Sequence, residues 1–382
     1  MKALVLTEYH HLEVRDVPTP KPGPGELLVR VQTCGICGSD VHGLDGSTGR
    51  RKPPLIMGHE AAGVVAEVGP EVTRFRSGDR VTFDSTVYCG QCAYCLRGQI
   101  NLCDNRRVLG VSCDEYRRDG AFAEYVVVPE RIVYRLPENV SFQQAAMIEP
   151  LSVALHAVDR AAPKIGETAV IFGGGIIGLL ILQVLRSAGL DQIITIEPDP
   201  HRQQMAKEFA ADLVLSPEQF RQTAPPPVDL AFDAVGINET VNGAVNAVAK
   251  GGRVVLVGNL QPEVPLPLQK VVTRELTLLG SCASQGDYPR CLNLLAKQAV
   301  RVEPLISAVA PLEEGPYWFD QLYYRRWMHE LPPLIHAERD RMIDVHHAIL
   351  PLTHRIRPDM AAMLADARPL PERAGLAVLA PV

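Results

Sequence analysis

No segment of the 382-residue chain is long and apolar enough to cross a bilayer. Its most apolar run, Ala169 to Leu185, holds four glycines and Gln183 and falls short of the roughly 20 uncharged residues a spanning helix needs. An excess of positive charge is missing as well: 38 Lys and Arg stand against 44 Asp and Glu, for a net charge of −6 and a pI near 6.0. That balance gives no electrostatic footing for nucleic acid or an anionic membrane, and neither is expected as a partner. Export is not expected either, because Glu8, His10, His11 and Glu13 interrupt the N-terminal stretch before a signal core could form. A cytoplasmic location follows as an expectation. Repeats at solenoid periods are absent. With 47% hydrophobic and 21% charged residues, disorder is excluded for most of the chain, whose length suits roughly two to three domains.

What is present falls into three textures. The first 150 residues are rich in Gly, Pro and short β-branched runs such as Leu27–Val31 and Gly63–Val68, which predicts a mostly β region. From Val153 to Ser281, strands alternate with helices. Strands are predicted at Thr168–Phe172, Gln192–Ile196, Asp229–Val235 and Arg253–Val257, with helices at Ile176–Ala188 and Asp199–Ala211 between them. This α/β alternation implies a doubly wound parallel sheet. Beyond Tyr324 come five histidines and many Arg and Pro residues, with apolar positions from Trp327 to Leu350. They predict an atypical helical C-terminal extension with helices over Ile335–Ala348 and Pro358–Ala367.

Nine cysteines is an odd number, and four of them, Cys89, Cys92, Cys95 and Cys103, crowd into the pattern C-x2-C-x2-C-x7-C. In a chain without an export signal this reads as metal ligation before disulfides. Four thiolates close a tetrahedral zinc shell with no open position, so the site is expected to be structural. A mixed set, Cys37, His59 and Glu149, has the donor chemistry of a catalytic zinc with a place left for water or an alcohol oxygen. Each of these three is more often a core residue when taken singly, and their spacing does not bring them together.

Gly173-Gly174-Gly175-Ile176-Ile177-Gly178 satisfies G-x-G-x-x-G between a predicted strand and a predicted helix. Glu197 follows 19 residues after Gly178, at the end of the next strand. Gly173, Gly175 and Gly178 would let a pyrophosphate approach the helix N-terminus. Glu197 would accept from the ribose hydroxyls and repel a 2′-phosphate, so NAD is expected over NADP. Arg202 nearby is expected on the adenine face.

With these pieces placed, the chain resembles the zinc-dependent medium-chain dehydrogenase/reductase superfamily from Met1 to about Tyr324. The resemblance rests on Cys37-Gly38-Ser39-Asp40-Val41-His42, Gly58-His59-Glu60, the four clustered cysteines, Glu149-Pro150-Leu151-Ser152 and the glycine loop. Glu149-Pro150 is similar to the polyol and threonine dehydrogenase branch, which includes sorbitol and galactitol-phosphate dehydrogenases. It implies a GroES-like zinc catalytic domain over 1–150, completed by 286–324, and a Rossmann NAD-binding domain over 151–285. Residues 325–382 form an atypical C-terminal segment outside the cleft, giving neither zinc a ligand.

The resemblance further implies two zinc ions per chain, Cys37, His59 and Glu149 holding the catalytic one, with Glu60 supporting His59 or alternating as ligand. Ser39 would take the alcohol proton and His42 would continue the relay, while Ile177, Val257 and Gly258 join the cofactor contacts. The implied reaction is oxidation of a secondary alcohol, a polyol or sugar alcohol, to a ketone by hydride transfer to NAD. A homodimer or homotetramer is implied. Two other readings stand beside it: an L-threonine 3-dehydrogenase-like or other alcohol dehydrogenase activity, and a non-catalytic NAD-binding zinc protein. One departure concerns substrate, since Ala283-Ser284 occupies a stretch where sorbitol dehydrogenases carry an Arg-Tyr pair.

Overall fold

The computed structural model describes residues 1–320 throughout and, beyond them, the backbone of Glu330–His336, Arg341–His346, Arg368–Pro369 and Ala377–Val378. Five antiparallel strands form the central sheet of the N-terminal part. They are β1 (Glu26–Gly35), β2 (Glu60–Val68), β3 (Arg80–Phe83), β4 (Tyr125–Pro129) and β5 (Val133–Arg135), in the order β4-β1-β2-β3-β5. Their β-branched and aromatic residues suit a pleated surface buried on one side. Leu27, Val29, Val81, Phe83 and Val128 are accordingly sealed in one core. A short helix, α1 (Gly38–Gly43), follows β1 directly.

The helix α2 (Ile148–Ala161) leads into a six-stranded parallel sheet. Its strands are β6 (Thr168–Phe172), β7 (Gln192–Ile196), β8 (Leu213–Leu215), β9 (Val228–Asp233), β10 (Val248–Leu256) and β11 (Thr277–Gly280), ordered β8-β7-β6-β9-β10-β11. The continuous apolar run Ala169–Phe172 is explained by this position. It pairs with β7 on one side and β9 on the other, and all four side chains are buried. Between β6 and β7 lies α3 (Ile176–Ser187), whose Leu179 and Leu182 share a core with Leu151 and Leu155 of α2. After β7 comes α4 (Pro200–Glu208), started by Asp199, whose side chain accepts from the Arg202 N–H at 2.9 Å. The strand order reverses beside β6, and ligands bind at such a switch point, outside the strands' carboxyl ends.

Beyond β11 the chain crosses back toward the first sheet. Asn101 Nδ2 donates to the Cys282 carbonyl at 2.9 Å, and Ser284 Oγ donates to Asp84 Oδ2 at 3.3 Å. These bonds tie the end of the parallel sheet to the β-rich part.

One expectation fails. The helix predicted over Ile335–Ala348 is replaced by two antiparallel strands, Glu330–His336 and Arg341–His346, with Ile335 opposite Met342. Ile335, Ile343 and Val345 are β-branched, so the apolar spacing that mimics a helix here belongs to a strand pair. The register is irregular between Leu331 and Leu334, where the two prolines fall. Ala377–Val378 pairs with Arg368–Pro369. The helix predicted over Pro358–Ala367 lies outside the described residues.

Candidate active site

The ligand atoms of Cys37, His59 and Glu60 lie within 4.8 Å of one another. Strand pairing is the cause: Gly35, the last residue of β1, stands opposite Glu60, the first of β2, so the turn carrying Cys37 meets the chain carrying His59. A Cβ on Gly35 would sit 2.4 Å from Glu60 Oε2, so any larger residue there would displace that carboxylate. Cys37 occupies the N-cap of α1 and donates its N–H to Asp40 Oδ2 at 3.3 Å.

Asp40 is fully buried, and its other oxygen stands 3.4 Å from His59 Nδ1 and 3.4 Å from Arg51 Nη2. Nδ1 of His59 faces Asp40, which leaves Nε2 for a ligand. Burial alone would raise the Asp40 carboxyl, but the charges of His59 and Arg51 and the Cys37 amide hold it below its ordinary range. Burial opposes charge on His59, yet neighbouring Asp40 lifts its pKa well above the usual value. Burial pushes the Cys37 thiol up, and Glu60 adds to it. Burial and the charge of Glu149 raise Glu60 to about 8.

Glu149 lies in the first turn of α2, outside the Cys37–His59–Glu60 set, and is half-buried. Ser85 Oγ donates to its Oε1 at 3.3 Å. Beside Ser85, Asp84 accepts from the Thr86 amide at 2.8 Å and from Ser284 Oγ, and burial raises it to about 7. Ser39 and His42 sit one turn apart on α1, and Arg51 Nη2 donates to Ser39 Oγ at 3.3 Å. Asp40, Arg51, Asp84, Ser85 and Ser284 escape a reading of the sequence. Only Asp40 leaves a local trace, its spacing of three from Cys37 at a helix start.

The donors fit zinc. Zinc is a borderline ion that accepts thiolate, imidazole and carboxylate donors alike, and donors sharing a tetrahedral ion stand roughly 3.3–3.8 Å apart. The four sulfurs of Cys89, Cys92, Cys95 and Cys103 likewise lie within 4.8 Å of one another, and none is in a disulfide. Backbone amides point at them: Cys89 N–H is 3.2 Å from Cys103 Sγ, and Cys92 N–H is 3.4 Å from Cys89 Sγ. The Gln91 and Cys92 amides lower Cys89 to about 6, as a thiolate ligand requires.

The glycine loop caps β6 at the switch point. Gly173 has φ +100°, and a Cβ on Gly178 would fall 1.8 Å from the Gly173 carbonyl oxygen. Gly175, the N-cap of α3, makes no side-chain cap, so the first amides of the helix remain for phosphate oxygens; Ile177 is in that first turn. Glu197 is buried, accepting from Gly174 N–H at 2.6 Å and Asp199 N–H at 2.9 Å. Arg202 is exposed on α4. Val257 and Gly258 follow β10, their amides bound to the Asp233 carbonyl at 2.9 and 3.0 Å. This is a cradle for a dinucleotide.

Residues 23–138 match the alcohol dehydrogenase GroES-like domain, and residues 177–297 match the zinc-binding dehydrogenase domain. The L-idonate 5-dehydrogenase of Vitis vinifera is 35% identical over 310 residues, 78% of this chain and 84% of that one. D-xylulose reductase A of Aspergillus oryzae is 34% identical over 336 residues, 84% of this chain and 93% of that one. A zinc-binding dehydrogenase of Sinorhizobium meliloti 1021, solved bound to NADP, superposes with a TM-score of 0.78 at 35% identity, covering 83% of this chain and 94% of that one.

Proposed function

Because the chain belongs to the zinc-dependent medium-chain dehydrogenase/reductase family, in its polyol dehydrogenase branch, we propose that it oxidises a secondary hydroxyl of a polyol or sugar alcohol to a ketone, with NAD as acceptor. The observation that carries the reading is the buried grouping of Cys37, His59 and Glu60 beside Ser39.

Bound zinc would supply the Lewis acidity that lowers the pKa of an alcohol hydroxyl, and bound NAD the hydride acceptor. Cys37 and His59 would hold the catalytic ion together with Glu149 or Glu60. Asp40 fixes the His59 ring. Ser39 takes the hydroxyl proton and passes it toward His42, and Arg51, donating to Ser39 Oγ, fixes the hydroxyl for that transfer. The four clustered cysteines would hold a structural ion. Glu197 at the ribose favours NAD, although the Sinorhizobium protein was solved with NADP; Gly173, Gly175, Ile177, Gly178, Arg202, Val257 and Gly258 complete the cofactor site. On this reading residues 1–150 with 286–324 form the catalytic domain, residues 151–285 the cofactor domain and 325–382 a separate segment. The enzyme assembles as a homodimer or homotetramer in the cytoplasm. No helix among the described residues is long and apolar enough to cross a membrane.

NADH formation with a panel of alditols, L-threonine and simple alcohols tests the proposal. Expected is turnover of alditols that stops when zinc is stripped and returns when it is restored. Undiminished activity in fully zinc-stripped enzyme would refute it.

A further inference from the structure

Three hydrogen bonds, joined through neighbouring residues of the chain, connect Glu149 to an arginine that the mechanism does not use. Glu149 accepts from Ser85; its neighbour Asp84 accepts from Ser284; two residues back, Cys282 Sγ accepts from Arg106 Nη1 at 3.6 Å. Asn101 Nδ2, bound to the Cys282 carbonyl at 2.9 Å, holds this segment in place. Arg106 is anchored by its own amide to the Cys103 carbonyl at 3.1 Å, so the zinc-binding cysteine loop sets its position.

The guanidinium is poorly satisfied. Its Nε is shut off from solvent with no hydrogen-bond partner, and its single side-chain bond goes to sulfur, a weak acceptor. Among the described residues it forms no ion pair; burial raises Asp84 and Glu149, and the charge of Arg106 offsets a small part of that rise. A half-buried cation with an unspent planar fork of donors, at the end of a polar wall, matches two oxygens of one anionic group. A neutral hydroxymethyl group offers one weakly accepting oxygen and leaves the charge uncompensated.

Resting on the dehydrogenase reading above, we infer that the substrate is an acidic polyol, and that Arg106 binds its terminal oxyanion, a carboxylate or a phosphate, while the secondary hydroxyl lies at Ser39. Asp84, Ser85 and Ser284, each nearly sealed from solvent, connect the two ends. Arg106 is a specificity-determining residue and takes no part in hydride transfer.

Matched substrates test this: L-idonate against L-iditol, D-gluconate against D-glucitol, and D-glucitol 6-phosphate, each with saturating NAD. The zinc-loaded enzyme is expected to favour an acidic member over its neutral partner by about tenfold or more in kcat/KM, the carboxylate and phosphate arms deciding which oxyanion is preferred. Arg106→Gln should erase that preference through KM, while kcat/KM for neutral alditols and the KM for NAD stay within about threefold. Arg106→Lys, which keeps the charge and loses the fork, should retain an intermediate preference. Equal or better use of neutral alditols by the parent enzyme, or a preference that survives Arg106→Gln, overturns the inference and leaves the dehydrogenase reading intact. If no polyol, acidic or neutral, is oxidised, that reading fails, and calorimetric titration of the NADH complex with the same acids decides the role of Arg106 separately: binding lost in Arg106→Gln supports it, and absent or unchanged binding overturns it.

Discussion

Asp40→Asn is a sharp test of how the candidate zinc site is held. The carboxylate is fully buried and faces three donors: the Cys37 N–H at 3.3 Å, His59 Nδ1 at 3.4 Å and Arg51 Nη2 at 3.4 Å. An amide of the same shape has one oxygen for these three and turns its NH2 toward donors. It also leaves Arg51, 5% exposed, without its counter-charge. Breaking a buried ion pair from one side costs about 3–5 kcal/mol. At about 2–4 °C per kcal/mol for a large domain, the melting temperature should fall by about 6–20 °C. Loss of a partner that orients a metal-bound histidine typically lowers metal affinity about 10- to 100-fold.

Two measurements separate these effects. Scanning calorimetry reads the stability loss, and competition against a chromophoric chelator reads the affinity of the weaker of two zinc sites. Arg51→Met added to Asp40→Asn should restore part of the stability, because the stranded charge is gone, and none of the zinc affinity, because His59 still lacks its partner. A single variant melting within about 1 °C of the parent, with unchanged zinc retention, would show that Asp40 neither carries the Arg51 charge nor orients His59.

Three further outcomes follow from the same geometry. Cys95→Ser should leave one zinc per chain by atomic absorption and lower the melting temperature, because three sulfurs cannot close the loop; unchanged stability counts against a structural ion. Cys37→Ser should abolish alcohol oxidation while NADH still binds by fluorescence titration, since the glycine loop lies on the parallel sheet. Asp84→Asn should stabilise the protein at pH 8 more than at pH 5: a carboxyl raised by burial from 3.8 to about 7 opposes folding increasingly as pH rises through that window, by about 4 kcal/mol at most once both states are ionised, and an equal gain at both pH values refutes the assignment.

What the sequence discloses depends on how far apart the partners lie along it. The four thiols fall within fifteen residues, and the glycine loop lies between the strand and helix it joins, so pattern alone identifies both. The mixed site is half legible. Cys37 and His59 stand out by type, but whether Glu60 or Glu149 joins them depends on strand register, since Gly35 opposite Glu60 brings that carboxylate in. In the tail, apolar spacing suggests a helix over Ile335–Ala348, and the β-branched residues favour the strands found there.

The polar wall is the least legible part, because no local rule connects its members. Asp84 and Ser284 are 200 residues apart, and neither residue type is distinctive. Arg106 makes the point most clearly, because Arg107 beside it has the same chemistry and the opposite fate. Pairing of Arg107 with Val87 and of Val108 with Thr86 fixes the register of the loop after Cys103. In that register Arg107 is exposed, its guanidinium 5.9 Å from the Tyr116 ring, whereas Arg106 is half-buried and reaches Cys282. A slip of one residue would exchange the two side chains, sending Arg106 outward and emptying the end of the wall. The charge at that end therefore depends on a two-residue strand pair anchored by the cysteine loop. On this account an ion held by the four cysteines would fix the register that aims Arg106, and its loss should blunt discrimination between acidic and neutral polyols, read as the kcat/KM ratio, before it stops turnover.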